Sequence, residues 1–259
     1  MKYLIATSLS VLALLFVVVN VSAHNGWVEI NTPIVEKGQK AYTELYFGNH
    51  SDQHTSYRID RKWGIQDTKV IVKTPSEKEH DMTSDFYYMG EVSEVDDDRA
   101  GLNNFYNGSF KTDEDGIYTV TAKGDFKYGD QEEARVRTAK AFVAASETPT
   151  IEGVEEMTGY EQPVTSDRAE IVPMFNPVVT TPGEFITAQL ILNGEPVEDE
   201  DVSVIRRSDS ADIQLETDLN GKFGWEAGEA DYYLIRAELE DEGVEYEATM
   251  TFVVQEKND

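Results

Sequence analysis

Short runs of β-branched and aromatic residues, broken by glycine, proline, asparagine and aspartate, constrain this chain more than any other feature. Val28-Glu29-Ile30, Tyr42-Thr43-Glu44-Leu45-Tyr46-Phe47 and Lys69-Val70-Ile71-Val72 are runs of this kind. Such residues suit a pleated, half-buried surface, and the residues between the runs favour turns. No long stretch keeps a clean helical period. Ala134 to Ala145 reads both ways: its alanines suit a helix, while Val136, Phe142 and Val143 among basic residues fit a strand. The expectation is an all-β chain.

Two places echo each other. Thr112-Asp113 precedes a strand-like Tyr118-x-Val120-x-Ala122, and Thr217-Asp218 precedes Tyr233-x-Ile235-x-Ala237. A tyrosine ahead of an alternating strand near the end of a sandwich is the pattern of a tyrosine corner, in which the ring packs on the sheet and the hydroxyl ties down the incoming loop. The pattern predicts two tandem immunoglobulin-like β-sandwich domains, at 24–146 and 169–259, joined by a polar linker at 147–168 that carries Glu152, Glu155, Glu156 and Glu161. Asn193-Gly194 is a hairpin signal. Asn107-Gly108 is read as a turn on the same grounds, and Asp113-Glu114-Asp115-Gly116 as a hairpin with an acidic tip rather than a calcium loop.

Residues 1–23 read as a cleaved signal peptide: Lys2, an apolar run from Val11 to Val19, then the small-residue site Val21-Ser22-Ala23. The run is short for a membrane span, so the mature protein is expected to be exported without inserting in a membrane. The periplasm is the simplest destination, with secretion the other. Export permits disulfides, but the chain has no cysteine. A formal charge of -28 excludes nucleic acid and anionic headgroups as partners.

Cleavage after Ala23 makes His24 the first residue. Its α-amine and one imidazole nitrogen can close a chelate ring on a metal, and both titrate close to neutral pH. The chain holds four histidines, His24, His50, His54 and His80. His50 and His54 lie four apart with Asp52 between them, a donor set that suits nickel, copper and zinc. His80, between Glu79 and Asp81, reads as a surface residue. No catalytic residue is singled out: the chain has no Gly-x-Ser-x-Gly elbow, phosphate loop or His-Glu-x-x-His helix. The aromatics Phe86-Tyr87-Tyr88-Met89 and Phe105-Tyr106, with Trp27 and Trp63, read as alternating core residues, with a contact patch or sugar-stacking edge as the other reading.

Several motifs, taken together, resemble a known family. Ala169-Glu170-Ile171-Val172-Pro173-Met174-Phe175-Asn176-Pro177, Thr217-Asp218-Leu219-Asn220-Gly221 and Tyr232-Tyr233-Leu234-Ile235-Arg236-Ala237 resemble motifs of an uncharacterised-domain bacterial family associated with the periplasmic component of nickel or cobalt uptake. So does Ala23-His24-Asn25-Gly26-Trp27, a signal peptide ending in Ala-His with an aromatic close behind. Where that family often has Gly-His after its second strand, this chain has Gly48-Asn49-His50. The resemblance implies a non-catalytic, periplasmic protein that binds a divalent transition metal, nickel or cobalt, with copper or zinc as alternatives. Its ligands are expected to be His24, His50 and His54, and its partner an inner- or outer-membrane uptake system. The alternatives are an envelope interaction or glycan- or peptide-binding module without a metal and, further off, a copper-dependent enzyme with an N-terminal histidine.

Overall fold

The computed structural model describes residues 25–51, 54–59, 63–89, 105–126 and 135–256. The first half of the chain supplies β1 (Asn25–Ile30), β2 (Ile34–Glu36), β3 (Lys40–Ser51), β4 (His54–Ile59), β5 (Thr68–Lys73), β6 (Glu79–Asp81), β7 (Tyr87–Tyr88), β8 (Phe105–Lys111), β9 (Gly116–Phe126) and β10 (Arg135–Ser146). A four-residue helix, α1 (Ile151–Val154), follows. The second half supplies β11 (Ala169–Pro173), β12 (Phe185–Leu192), β13 (Glu195–Pro196), β14 (Asp201–Arg206), β15 (Asp212–Glu216), β16 (Lys222–Glu226), β17 (Asp231–Asp241) and β18 (Val244–Val254).

These strands form two immunoglobulin-like sandwiches that share a sheet. One outer sheet runs β1-β3-β8-β7, with β4 also on β3; the other is β11-β12-β13, with β16 also on β12. Between them lies a nine-stranded sheet in the order β15-β14-β17-β18-β10-β9-β5-β6, with β2 added on β10. The halves of this sheet meet where β10 and β18 pair in parallel, from Arg135 opposite Glu245 to Lys140 opposite Met250.

β10 resolves the ambiguous segment as a strand. Ala139, Ala141, Val143 and Ala145 face the first core, with Leu45, Val70 and Val120. Phe142 and Ala144 face the second, with Ile171, Leu190 and Met250. A strand buried on both faces has no polar/apolar alternation, so periodicity cannot separate it from a buried helix. The alanines are there because two cores close on one strand.

Both tyrosine corners form. The Tyr118 hydroxyl donates to the Glu114 carbonyl at 3.2 Å and accepts from the Glu114 N–H at 2.7 Å. The Tyr233 hydroxyl donates to the Glu229 carbonyl at 2.9 Å. Asn193-Gly194 is the β12–β13 turn, with φ of 54° and 86° at its two residues. Asn107-Gly108 is not a turn. Both residues lie inside β8, opposite Glu44 and Thr43. Glycine stands at 108 because a Cβ there would lie 2.7 Å from the Phe86 ring. The acidic 113–116 stretch is the tip between β8 and β9, where Asp115 pairs with Lys37 at 2.5 Å and Glu114 accepts from Ser76.

Lys140 and Glu170 form a fully buried ion pair of 2.6 Å between β10 and β11. Glu170 also accepts from the N–H groups of Val164 and Thr165 and from the Thr165 hydroxyl. Burial opposes its ionisation, but Lys140 and these donors outweigh burial and hold the carboxyl below its usual range. Removing one member strands a buried charge. Lys140→Ala is expected to cost about 3–5 kcal/mol, while the double replacement Lys140→Met/Glu170→Gln, which removes both charges and keeps an acceptor for the Val164 and Thr165 N–H groups, should cost far less. Urea denaturation of the two variants tests this, and equal losses would contradict it.

Candidate functional site

The joint between the sandwiches is capped by β1 (Asn25–Ile30), the strand that follows His24 in sequence. Among the described residues β1 is an edge strand of its own sheet, paired only with β3. Side chains of β18 satisfy three of its outward backbone groups. Glu247 accepts from the Gly26 N–H at 2.7 Å, Thr249 donates to the Gly26 carbonyl at 2.7 Å, and Thr251 donates to the Val28 carbonyl at 2.6 Å. Alternate residues of one strand thus serve as the missing neighbour of another, because side chains at i, i+2 and i+4 share a face. Glu247 is held from the other side by Arg137 of β10 at 2.7 Å, and both are buried. The Arg137 guanidinium also stacks over the Phe47 and Phe126 rings.

The face of β1 that carries Asn25, Trp27 and Glu29 lies against β17. Asn25 donates to Glu238 at 2.6 Å and accepts from Arg236 at 2.9 Å. Trp27, fully buried, packs with Tyr46 and Leu234. Its indole N–H donates to Glu29 at 2.9 Å, and Arg207 pairs with the other Glu29 oxygen at 2.9 Å. The Tyr232 hydroxyl reaches the Asn31 carbonyl at 2.9 Å.

Glu29 is the most perturbed acid of this interface. It is 3% exposed and pairs in register with Glu44 of β3, whose carboxylate accepts from Tyr46 and from Asn107. Burial pushes the Glu29 carboxyl up to about 7; Glu44 and Asp231 push the same way, against Arg207 and the Trp27 hydrogen bond. Glu238 is likewise raised, by burial and by the charge of Glu247.

Of the residues expected to bind metal, His24 lies outside the described residues. His50 and His54 are described by backbone only. His50 is in β3, and His54 opens β4 opposite Ser51. Asn25, the residue bonded to His24, pairs with Gly48, two positions before His50. Strand register therefore brings the start of β1 to the β3–β4 hairpin, a proximity that spacing along the sequence does not reveal. His80 is exposed in β6, as expected for a surface residue. Among the described residues no group of three or more His, Asp or Glu is placed to hold a metal ion.

The motif from Ala169 to Pro177 is structural where the structure describes it. Glu170 is the buried partner of Lys140. The Asn176 amide donates to the carbonyls of Val154 and Glu155, and its side-chain oxygen accepts from the Val178 N–H. The motif thus pins the segment after β10 onto the second sandwich. Sequence reading missed this, along with Arg137, Glu247 and Glu29. The only available signal was the presence of charged residues inside apolar strands.

A pair of sandwiches fused through one sheet, with an N-terminal strand laid over the joint, is the class of protein that this geometry defines. The chain belongs to the family described as Domain of unknown function (DUF4198), whose model matches residues 21–241. No curated protein matches the chain. Among solved structures it is similar to the mouse nectin-like molecule 4 ectodomain, at 12% identity and a TM-score of 0.26 over 91% of this chain and 65% of that one. It is also similar to a DUF4785 family protein from Legionella pneumophila, at 10% identity and a TM-score of 0.30 over 84% of this chain and 54% of that one. A third likeness is to the E. coli alpha-2-macroglobulin, at 9% identity and a TM-score of 0.27 over 91% of this chain and 14% of that one. The chain thus spans less than two thirds of each of these proteins.

The buried Glu29 makes the joint pH-sensitive. Between the ordinary carboxyl range and about pH 7 the folded protein holds a proton that the unfolded chain has released. Stability is therefore lost as pH rises through this window, and the loss is constant above it. Glu29→Gln keeps an acceptor for Trp27 and cannot ionise. Its stability relative to the parent should rise by about 2–3 kcal/mol between pH 4.5 and pH 8. Urea midpoints at the two pH values measure this, and a pH-independent difference would show that Glu29 stays ionised.

Proposed function

We propose that this protein is a non-catalytic, periplasmic carrier of a divalent transition metal, of the nickel or cobalt class, and that it presents the ion as cargo to a membrane uptake system. His24 is its anchoring ligand, chelating through the α-amine and imidazole of a processed N-terminus, and His50 and His54 complete a nitrogen-rich set. The observation that carries this reading is the pairing of Asn25 with Gly48 and of Ser51 with His54. It supports a single site, because Asn25, the residue after His24, pairs with Gly48 of the strand that runs on to His50 and returns at His54. The resemblance of Ala23-His24-Asn25-Gly26-Trp27 to the start of nickel- and cobalt-associated chains favours those ions.

The site needs a fixed start to β1, and the structure supports that requirement. Asn25 is fully buried between Glu238 and Arg236, and the Gly26 N–H and C=O are both held by β18 side chains. Such anchoring lowers the ordering cost of ligation. The formal charge of -28 gathers cations around the molecule without selecting among them.

Calorimetric titration of nickel, cobalt and copper into protein beginning at His24, in salt sufficient to screen diffuse binding, tests this reading. The expected result is one saturable site that His24→Ala abolishes. One extra residue before His24 should weaken binding about tenfold or more, because the amine becomes an amide and each 1.4 kcal/mol of lost ligation is a factor of ten. Equal affinity for the extended and unextended proteins would remove the N-terminal chelate.

A further inference from the structure

The sheet β1-β3-β8-β7 has one face laid out in rows by its register. Trp27, Tyr46 and Phe105 form one row, and Glu29, Glu44, Asn107 and Tyr87 the next. Tyr42 and Ser109 form the third. The second sandwich covers the β1 end of these rows, through Leu234 on Trp27 and Arg207 on Glu29. Away from those two contacts the aromatics are open to solvent: Tyr42, on β3 in the third row, is 48% exposed and Tyr87, on β7 in the second, 70%. Large exposed aromatics on a sheet face are the informative exception to burial, and clusters of them mark contact sites.

The groups between the two tyrosines are polar and held in place. Glu44 accepts from the Tyr46 hydroxyl with one oxygen and from the Asn107 amide, at 3.3 Å, with the other. Ser109 adds a hydroxyl beside Tyr42. Tyr42 and Tyr87 stand two strands and one row apart, which sets their Cα atoms roughly 12 Å from each other at ordinary strand spacing and rise.

We propose that this open end of the face is a glycan-binding platform, on which Tyr42 and Tyr87 stack against sugar rings while Glu44, Asn107 and Ser109 hydrogen-bond the hydroxyls between them. A tyrosine offers an apolar face with a polar tip, and a sugar ring presents the same combination of C–H faces and hydroxyl edges. The span of the two rings suits an oligosaccharide rather than a single sugar. A peptide added as a strand requires an unpaired sheet edge; Tyr87 lies on the edge strand β7, but Tyr42, Glu44 and Asn107 lie on β3 and β8 inside the sheet, so a strand added at β7 would not span the platform. The overall charge of -28 disfavours polyanionic chains. The platform uses none of the three histidines, so it stands or falls independently of metal binding.

The test is retention of the full mature chain by immobilised hexasaccharides of glucose, mannose, xylose and N-acetylglucosamine, without added metal. At least one series should retain it. Tyr42→Ala and Tyr87→Ala should each weaken that retention about threefold to tenfold, the size of a lost aromatic contact. Phe185→Ala is the control, since Phe185 is 72% exposed on a different sheet. All three positions are exposed, so unchanged thermal midpoints are expected and would confirm that the variants fold. Failure of every series to retain the protein would overturn the proposal. So would equal retention of the tyrosine variants, or an equal loss in Phe185→Ala, which would mean unspecific adhesion through exposed rings.

Discussion

The parallel pairing of β10 with β18 is the constraint on which the rest of the structure depends. It makes one sheet out of what would otherwise be two, and places both hydrophobic cores on opposite faces of a single strand. A strand in that position has no solvent face, so any charge it carries must be matched inside the protein. Arg137 is matched by Glu247 and Lys140 by Glu170, each pair crossing from the first half of the chain to the second. Buried pairs of this kind contribute little net stability over apolar replacements, but each is strongly unfavourable with one partner missing. They therefore act against alternative packings of the two halves.

β1 follows from that joint. Once β10 and β18 lie side by side, β18 offers Glu247, Thr249 and Thr251 in a row, and those side chains fit the unpaired backbone edge of β1. An edge strand is a hazard for aggregation unless it is covered; here the second sandwich covers it with side chains rather than with another strand. The same contact buries Glu29 across from Glu44, which raises its proton affinity. It also fixes the backbone that follows His24. Rigidity at the joint and the anchoring of Asn25 and Gly26 have one origin.

The strand runs, both tyrosine corners and the Asn193-Gly194 turn were legible because each is local: a few residues, a side-chain period or a turn that needs positive φ. Asn107-Gly108 carried the same signal and misled, since glycine at 108 answers to the Phe86 ring pressed against it rather than to a turn. β10 was ambiguous because burial on both faces erases periodicity. The motif around Glu170 and Asn176 was visible as a resemblance, but its work of clamping the linker segment and neutralising Lys140 depends on residues 20 to 30 positions away.

The sequence by itself determined an all-β chain of two immunoglobulin-like sandwiches, with its histidines confined to the first third. Composition and short-range pattern suffice for that, because strand preference and turn chemistry act over a few residues. Only the tertiary structure decided that the sandwiches share a sheet, and that β1 is sealed by β18. The partnering of Arg137, Lys140, Glu170 and Glu247, and the arrival of the residue after His24 at the β3–β4 hairpin, belong to the same group. All of these rest on strand register between segments far apart in sequence. Register is set by the summed fit of many side chains across a face rather than by any one residue, and no local pattern encodes it.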